Sequence, residues 1–556
     1  MDLALILTLD AAAKRPLHRQ LYEQIRQAIL SGKLRSHTQL PATRQLAQLL
    51  GISRTTVTQS YEQLISEGYL QTRQGSGTFV SEHLPEDLLN TRPIGGHLNR
   101  GDLSSGPLNP EQGLACAEQK NRKSKKTSEA SANGAQATEH PQPLPLSTYG
   151  QHLQQLPART FELGPLLSFR YGIPDLAQFP VQRWRRLLNK HQAKGHDWMG
   201  YSPEPMGYGP LREQIAQYIT QARAVRCSPE QILITQGAQQ ALGLIARLLV
   251  TPGEAIALED PGYLSGQHVF QANGAQIQPV PVDSEGLKVE GPNGLDAIAT
   301  PKTRLVYVTP SHQFPTGVLM SLPRRLALLQ WAQRQNALIV EDDYDSEFRY
   351  SGRPIPALQG LETACNAEAR VIYVGTFSKI LFPGLQIGYV VVPQSLISVF
   401  RQAKWLCDRQ CSWLNQVALA DFIAEGELAR HIRRMRPVYH RRRQTLITQL
   451  QQTDSSMRVS GDPAGLHIMA TLPKVHDAQT LMAKARSKGV GLFSAEPHYW
   501  PVDSASRPST SLPSTSRPST LPNEVKSTFI FGFGGLDEPA IEEAIARISP
   551  LIRSAQ

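Results

Sequence analysis

Between residues 83 and 160 the chain offers one aromatic side chain, Tyr149, among many Pro, Gly, Ser, Gln and Asn. A segment this poor in apolar bulk cannot bury enough surface to offset the entropy of ordering it, so it reads as a long flexible linker. The chain must then fold as separate cores on either side, and its 556 residues exceed what one ordinary core holds. A second break comes at Pro501–Lys526, rich in Ser, Thr and Pro, where Ser506-Arg507-Pro508-Ser509-Thr510 recurs at Ser516–Thr520. It predicts a disordered surface insertion between two strands. The linker also carries a basic cluster, Lys120–Lys126, read as a solvated patch in preference to an auxiliary phosphate contact.

Several classes are excluded early. No apolar run approaches the ~18 residues of a spanning helix; the best, Ala241–Val250, is interrupted by Arg247. No membrane partner is expected. The start of the chain is apolar but acidic and lacks a secretory cleavage pattern. Cys116, Cys227, Cys365, Cys407 and Cys411 are scattered and odd in number, which argues against a disulfide framework and for a reducing cytoplasm. Cys407 and Cys411 have no matching Cys/His pair, so no metal site is expected. The net charge of +10 permits nucleic acid or an anionic ligand and names neither.

Residues 1–82 carry a compact pattern. Leu17, Leu21, Ile25, Ala28 and Ile29 line one face of a helix over Leu17–Leu30. Thr43–Leu50 predicts a short helix stopped by Gly51. Ser53 is the N-cap of a third, which turns Val57, Tyr61, Leu64 and Ile65 inward and ends at Gly68. Tyr69–Thr72 and Thr78–Val80 read as a hairpin through Gly75-Ser76-Gly77. This is a winged helix-turn-helix. Its third helix would present Ser53, Arg54, Thr55, Thr56 and Thr58 to a major groove, with Arg54 able to fork onto guanine. Arg44 would grip a phosphate, and Arg73, Gln74 and Gly75 would form the wing.

From residue 161 the pattern alternates. Gln231–Thr235, Ala255–Glu259, Gln276–Val280, Thr303–Thr309, Leu338–Asp342, Val371–Gly375 and Ile387–Val392 are short apolar strands, with helices such as Gly237–Leu249 and Pro323–Gln335 between them. The class is α/β, a mostly parallel sheet sandwiched by helices. A smaller C-terminal α/β part follows. It opens on a helix over Leu428–Leu450, kinked or broken at Pro437, and continues with strands Gly465–Thr471, Val490–Phe493 and Thr528–Gly532.

Lys379 stands just after a strand end, where parallel sheets bind ligands. Desolvation there would keep its amine neutral and nucleophilic, as Schiff-base chemistry requires. Asp342 closes another strand and could hold a pyridine nitrogen protonated. Tyr344, two residues on, could meet a phenolic oxygen. Thr235-Gln236-Gly237-Ala238-Gln239 opens a helix after a strand, which suits a phosphate. Together these pieces fit pyridoxal 5′-phosphate.

Two resemblances sharpen this. Leu40-Pro41-Ala42-Thr43-Arg44, Ser53-Arg54-Thr55-Thr56-Val57, Glu67-Gly68-Tyr69-Leu70 and Gly75-Ser76-Gly77-Thr78-Phe79-Val80 resemble a GntR-family DNA-binding domain, with Ser36-His37 where that family usually has Pro-Gly. Tyr201-Ser202-Pro203-Glu204-Pro205-Met206-Gly207, Asp260-Pro261-Gly262-Tyr263, Phe314-Pro315-Thr316-Gly317, Asp342-Asp343-Tyr344 and Ser378-Lys379 resemble the fold-type I aminotransferases. That resemblance implies Lys379 as the Schiff-base lysine, Asp342 at the pyridine nitrogen and Tyr344 near the phenolic oxygen. It implies Tyr263 stacked on the ring and Gly237, Ala238, Gln239, Thr376 and Ser378 around the phosphate. It also implies Tyr201 reaching the phosphate of a neighbouring subunit, hence a homodimer. Three departures stand out: Phe314 replaces an asparagine for which His312 or Gln313 could substitute, Gln386 replaces a phosphate-binding arginine, and Phe529–Phe533 offers no arginine for a substrate carboxylate.

A GntR-type reader joined by a linker to an aminotransferase-like domain is similar to the MocR-type transcriptional regulators. That resemblance implies a regulator of double-stranded promoter DNA that senses pyridoxal phosphate or an amine-bearing metabolite. A working aminotransferase with a DNA-binding appendage is the alternative, and a regulator that has lost its cofactor is a third reading.

Overall fold

The structure is a computed structural model describing residues 7–10, 15–73, 77–82, 84, 145–157, 167–193, 199–202, 204–352, 355–364, 369–472, 477–500 and 523–553. These fall into two units, residues 1–135 and 136–556. The basic cluster Lys120–Lys126 and insertion residues 501–522 lie outside the described residues.

In the first unit α1 (Leu17–Leu30) buries Leu21, Ile25, Ala28 and Ile29. The helix α2 (Thr43–Leu50) ends where Gly51 turns to φ 65°. The helix α3 (Arg54–Ser66) is capped by Ser53, whose Oγ accepts from the Thr56 amide at 3.1 Å. Their apolar faces close one core with Leu40, Tyr69, Leu70 and Val80. The hairpin is present as β2 (Leu70–Arg73) and β3 (Gly77–Val80). A strand that the residue pattern did not announce, β1 (Gln39–Leu40), pairs with β3 and puts it at the centre of three. His37 stands at φ 65°, a conformation that favours glycine, which is why a glycine is usual at this turn.

After a short strand β4 (Leu167–Ser168), the second unit is built on eight strands: β5 (Ile232–Thr235), β6 (Ala255–Asp260), β7 (Gln276–Asp283), β8 (Gly286–Leu287), β9 (Thr303–Val308), β10 (Leu338–Asp343), β11 (Val371–Thr376) and β12 (Gly388–Val391). Their order is β5-β12-β11-β10-β9-β6-β7-β8, with β12 antiparallel to both neighbours and β8 antiparallel to β7. All seven expected strands are present, with ends moved by a residue or a few; β8 is an addition. Strands covered on both faces read as continuous apolar runs, which is why they were legible. Separate apolar cores around Leu242, Ile245 and Phe270, and around Leu328, Trp331 and Ile339, pack against the sheet.

Four expectations need correction. The helix Glu427–Thr453 runs unbroken through Pro437. Leu428, Ile432, Met435, Tyr439, Leu446 and Leu450 all stay in the core, and that packing outweighs one lost backbone donor. The expected strand Val490–Phe493 is two pieces: Val490–Gly491 pairs with Leu167–Ser168, and Phe493–Ser494 pairs with Thr528–Gly532. The end of the stretch read as linker holds a helix, Thr148–Gln155, belonging to the second unit. There Arg247 lies over the Tyr149 ring at 5.9 Å, and His152 Nδ1 donates to Ala272 O at 3.2 Å. Residues 523–526 of the expected insertion form a helical turn. No helix among the described residues is long and apolar enough to cross a membrane.

Candidate functional site

The sheet register assembles the site. Thr235 pairs with Gly388, and Gly388 with Thr376, so three strand ends lie side by side. Gly388 has no room for a side chain: a Cβ would lie 2.9 Å from the Gly237 backbone and 3.0 Å from Gly375 O. The start of helix Gly237–Leu249, where Gly237 takes φ 77°, therefore sits against β12 and close to Thr376. The Ser378 amide donates to Thr376 Oγ1 at 3.2 Å. Ala238 is half-buried and Gln239 exposed on the same helical turn. Gly237, Thr376 and Ser378 are thus brought together as neutral donors around one helix N-terminus.

Strand alternation separates the adjacent acids of β10. Asp343 turns to the buried Arg223 Nε at 2.7 Å and accepts from Tyr373 OH at 2.6 Å. Asp342 turns the other way and accepts from Tyr307 OH at 2.7 Å through Oδ2. Its Oδ1 is buried with no partner. Burial raises the Asp342 carboxyl to about 7, against the hydrogen bond from Tyr307. An orphaned buried carboxylate oxygen is costly unless something donates to it. A protonated pyridine nitrogen meets that need, so these residues fit the expected cofactor.

Lys379 is half-buried beyond the end of β11. Burial lowers its amine below the usual lysine range, opposed by Asp345 and Asp342. Its Nζ passes Gly172, at φ 73°, where a Cβ would stand 2.9 Å from the amine. Tyr263 is near the same centre: a Cβ on Gly266 would touch both the Tyr263 and Tyr307 rings, at 3.2 and 3.5 Å. Phe314 packs among Tyr171, Tyr263, Tyr344, His467 and His498, with ring centroids 5.0–6.2 Å apart.

The two alternatives left open by Phe314, Gln313 and His312, are both buried. Gln313 is committed, its amide donating to Glu259, Pro261 O and Phe314 O and its oxygen accepting from Thr316. His312 is wedged between Gly317 and Gly465, with Nδ1 3.0 Å from Asp345 and Nε2 buried without a partner. The phenol of Tyr344 donates to His312 O at 2.8 Å, so within this chain its hydroxyl is held by that loop. Tyr201 lies at the surface of this chain. It is 79% exposed, and Arg409 lies 5.0 Å over its ring.

Residue reasoning overlooked Gly172, Tyr307, Tyr171 and His498. His498 Nδ1 donates to Gly262 O at 3.1 Å, which leaves Nε2 to accept from Tyr171 OH at 3.3 Å. Of these only Tyr307 left a signal, a hydroxyl in an otherwise apolar buried strand.

In the first unit Arg44, Ser53, Arg54 and Thr55 are exposed and Thr56 and Thr58 half-buried. Arg44 and Arg54 face one shallow groove with Gln48 and Gly51. Ser53 and Thr56 are spent on the cap, and Thr58 Oγ1 donates back to Arg54 O at 3.0 Å. Arg73 lies over the Phe79 ring at 4.9 Å, while Gln74 and Gly75 fall outside the described residues.

The gntR family of bacterial regulatory proteins matches residues 17–80, and the class I and II aminotransferase family matches residues 166–502. The probable rhizopine catabolism regulatory protein MocR of Rhizobium meliloti is 37% identical over 487 residues, which is 87% of each chain. The chain belongs to the MocR-type transcriptional regulators. Another protein of this type, the pyridoxine biosynthesis transcriptional regulator PdxR of Corynebacterium glutamicum, is 30% identical over 96% of this chain and 95% of its own. Among solved structures, the α-aminoadipate aminotransferase LysN of Thermus thermophilus, complexed with N-(5′-phosphopyridoxyl)-L-leucine, superposes with a TM-score of 0.62 at 28% identity. It spans 73% of this chain and 97% of that one. This MocR-type protein is a pyridoxal 5′-phosphate-dependent, DNA-binding transcriptional regulator. A plain aminotransferase is not favoured, because the regulators match across the reader as well as the cofactor unit.

Proposed function

We propose that the regulator senses pyridoxal 5′-phosphate, or an amine that reacts with it, through Lys379, and reports the result to promoter DNA through α3. The observation that carries this is the unpartnered, buried Asp342 Oδ1 in the same constellation as the depressed Lys379 amine, in one chain with a capped recognition helix. The bound cofactor supplies an electrophilic carbon that condenses with amines. In the residues' own terms, Lys379 offers an amine that burial makes easier to deprotonate, Asp342 holds a ring proton, Tyr263 and Phe314 cover the ring, and Gly237, Ala238, Gln239, Thr376 and Ser378 receive the phosphate. Tyr344 positions the loop carrying His312.

The reading divides the chain into a reader at 1–82, a connection that ends before the helix Thr148–Gln155, and a cofactor and dimerisation unit from that helix onward. The functional unit is a cytoplasmic homodimer, supported by the exposed Tyr201 and Leu406. A ligand regulates only if it binds one arrangement of that dimer better than another. The test is retardation of the protein's own upstream DNA with and without pyridoxal 5′-phosphate, beside a visible spectrum. A band at Lys379 that disappears in Lys379→Ala, with a cofactor-dependent change in retardation, is the expected result. Retardation in neither state would dispose of the reading.

A further inference from the structure

We infer that Gln386, standing where an arginine is usual, puts a neutral side chain beside the start of helix Gly237–Leu249, so that this protein exchanges its pyridoxal 5′-phosphate with the free pool. The inference rests on the seat proposed above and concerns how firmly that seat holds. Gln386 Oε1 lies 3.9 Å from the position a Cβ would take on Gly237, so this side chain borders the start of helix Gly237–Leu249. Its amide is already engaged, Nε2 donating to Pro383 O at 2.9 Å. The hydroxyls and amides of Gly237, Thr376 and Ser378 beside it are neutral.

Lys404 reaches the same helix and is not available. Its Nζ donates to Gln240 Oε1 at 2.9 Å and pairs with Asp408 at 2.8 Å. Asp408 in turn accepts from Gln236 Nε2 at 3.1 Å and Gln240 Nε2 at 2.7 Å. Gln236 and Gln240 are therefore already satisfied by a carboxylate whose charge Lys404 cancels. Arg409 lies over the rings of Tyr201 and Trp405, at 5.0 and 5.3 Å from their centroids.

A phosphate monoester carries about −1.5 to −2 charges near neutral pH, and a helix N-terminus offsets only about half of one. The rest of the grip falls to neutral hydrogen bonds, Asp342 and the lysine linkage. An arginine at this position would add a forked, charge-assisted pair. The backbone is ready for one: Gln386 sits at φ 51°, ψ 44°, a conformation that costs arginine no more than glutamine, and its side chain is exposed. Gln386→Arg therefore changes charge at nearly constant backbone cost.

The experiment loads the full-length protein with pyridoxal 5′-phosphate and follows release by the visible band and by free cofactor after gel filtration. Wild type, Gln386→Arg, Gln386→Lys and Gln386→Met are compared. Gln386→Arg should slow release and lower the dissociation constant roughly tenfold or more. Gln386→Lys should fall between, and Gln386→Met should match wild type. The cofactor concentration that half-changes operator retardation should shift by the same factor. Unchanged release in both cationic variants with unaltered melting would overturn the inference, and so would a wild-type protein that keeps full occupancy through prolonged gel filtration. Should Gln386→Arg fail to fold, Gln386→Lys decides alone. A wild-type protein showing no band at saturating cofactor would sink the Lys379 reading, and this inference with it.

Discussion

The role proposed for Asp342 is one in which a single buried group trades stability for binding. Its carboxyl is buried and raised to about 7, while its ordinary value is 3.8. Below about pH 4 both folded and unfolded chains hold the proton. Between about 4 and 7 the folded chain still holds it and the unfolded chain has released it, so stability falls as pH rises through that window and is flat above it. Asparagine has no proton to lose. Cofactor-free Asp342→Asn should therefore match wild type near pH 4 and exceed it at pH 8 by about 1–4 kcal/mol, one pK unit being worth about 1.4 kcal/mol. Urea midpoints at the two pH values read this directly. The same variant should lose most of its cofactor affinity, because a neutral amide does not favour a protonated ring nitrogen. A variant equally stable at pH 8 and still binding tightly would show that the orphaned oxygen has no such role. Other buried acids, such as Glu259 at about 7, shape the overall pH profile, so the difference between variant and wild type is the quantity to compare.

At the scale of elements, α3 does two jobs with different residues. Ser53 holds its first turn through the bond to the Thr56 amide, so Ser53→Ala should cost about 1 kcal/mol of stability in the reader. Arg54 is exposed, only loosely tethered by its Nε to Thr43 Oγ1 at 3.4 Å. Its replacement by Ala should cost about 1–3 kcal/mol on the preferred operator and relax selection at one base. Arg44→Ala should weaken all sequences alike and lower the salt slope by about one. Competition retardation over a salt series separates the three, and a uniform loss in Arg54→Ala would take that residue off the bases. These helices were legible because their apolar faces repeat at helical spacing, and the buried strands because they are short unbroken apolar runs. Pairings of two residues, such as Gln39–Leu40 and Gly286–Leu287, carry no period and were invisible. Thr148–Gln155 was hidden by its polar composition. Pro437 signals a break only when packing does not decide, and here it does. Lys379 and Asp342 could be found because each lies near the end of a strand. Gly172 and His498 could not, since only the tertiary fold brings residues this far apart in sequence beside the loops they serve.

For the whole molecule the decisive feature is what the cofactor unit leaves uncovered. Leu406 is 77% exposed and Tyr201 79%; Trp405 and Met199 are exposed too, and Arg409 lies over the rings of both Tyr201 and Trp405. Apolar and aromatic side chains gathered on one surface mark an interface more often than open solvent contact. In a symmetric dimer the same patch meets itself, so one added charge is repeated across the axis. Leu406→Arg should therefore convert a dimer into a monomer in sedimentation velocity, without touching α3 or the Lys379 constellation. The two readers of a dimer bind neighbouring half-sites with an effective local concentration, and separating them should weaken the full operator by about 10²-fold or more. A single half-site should be bound as before, with the same base preference. Cofactor should still bind Leu406→Arg if its seat is complete in one chain. If instead Tyr201 of the partner subunit completes the phosphate seat, retention should fall together with dimerisation. Dimeric Leu406→Arg that holds its operator at wild-type strength would place the interface elsewhere on the unit.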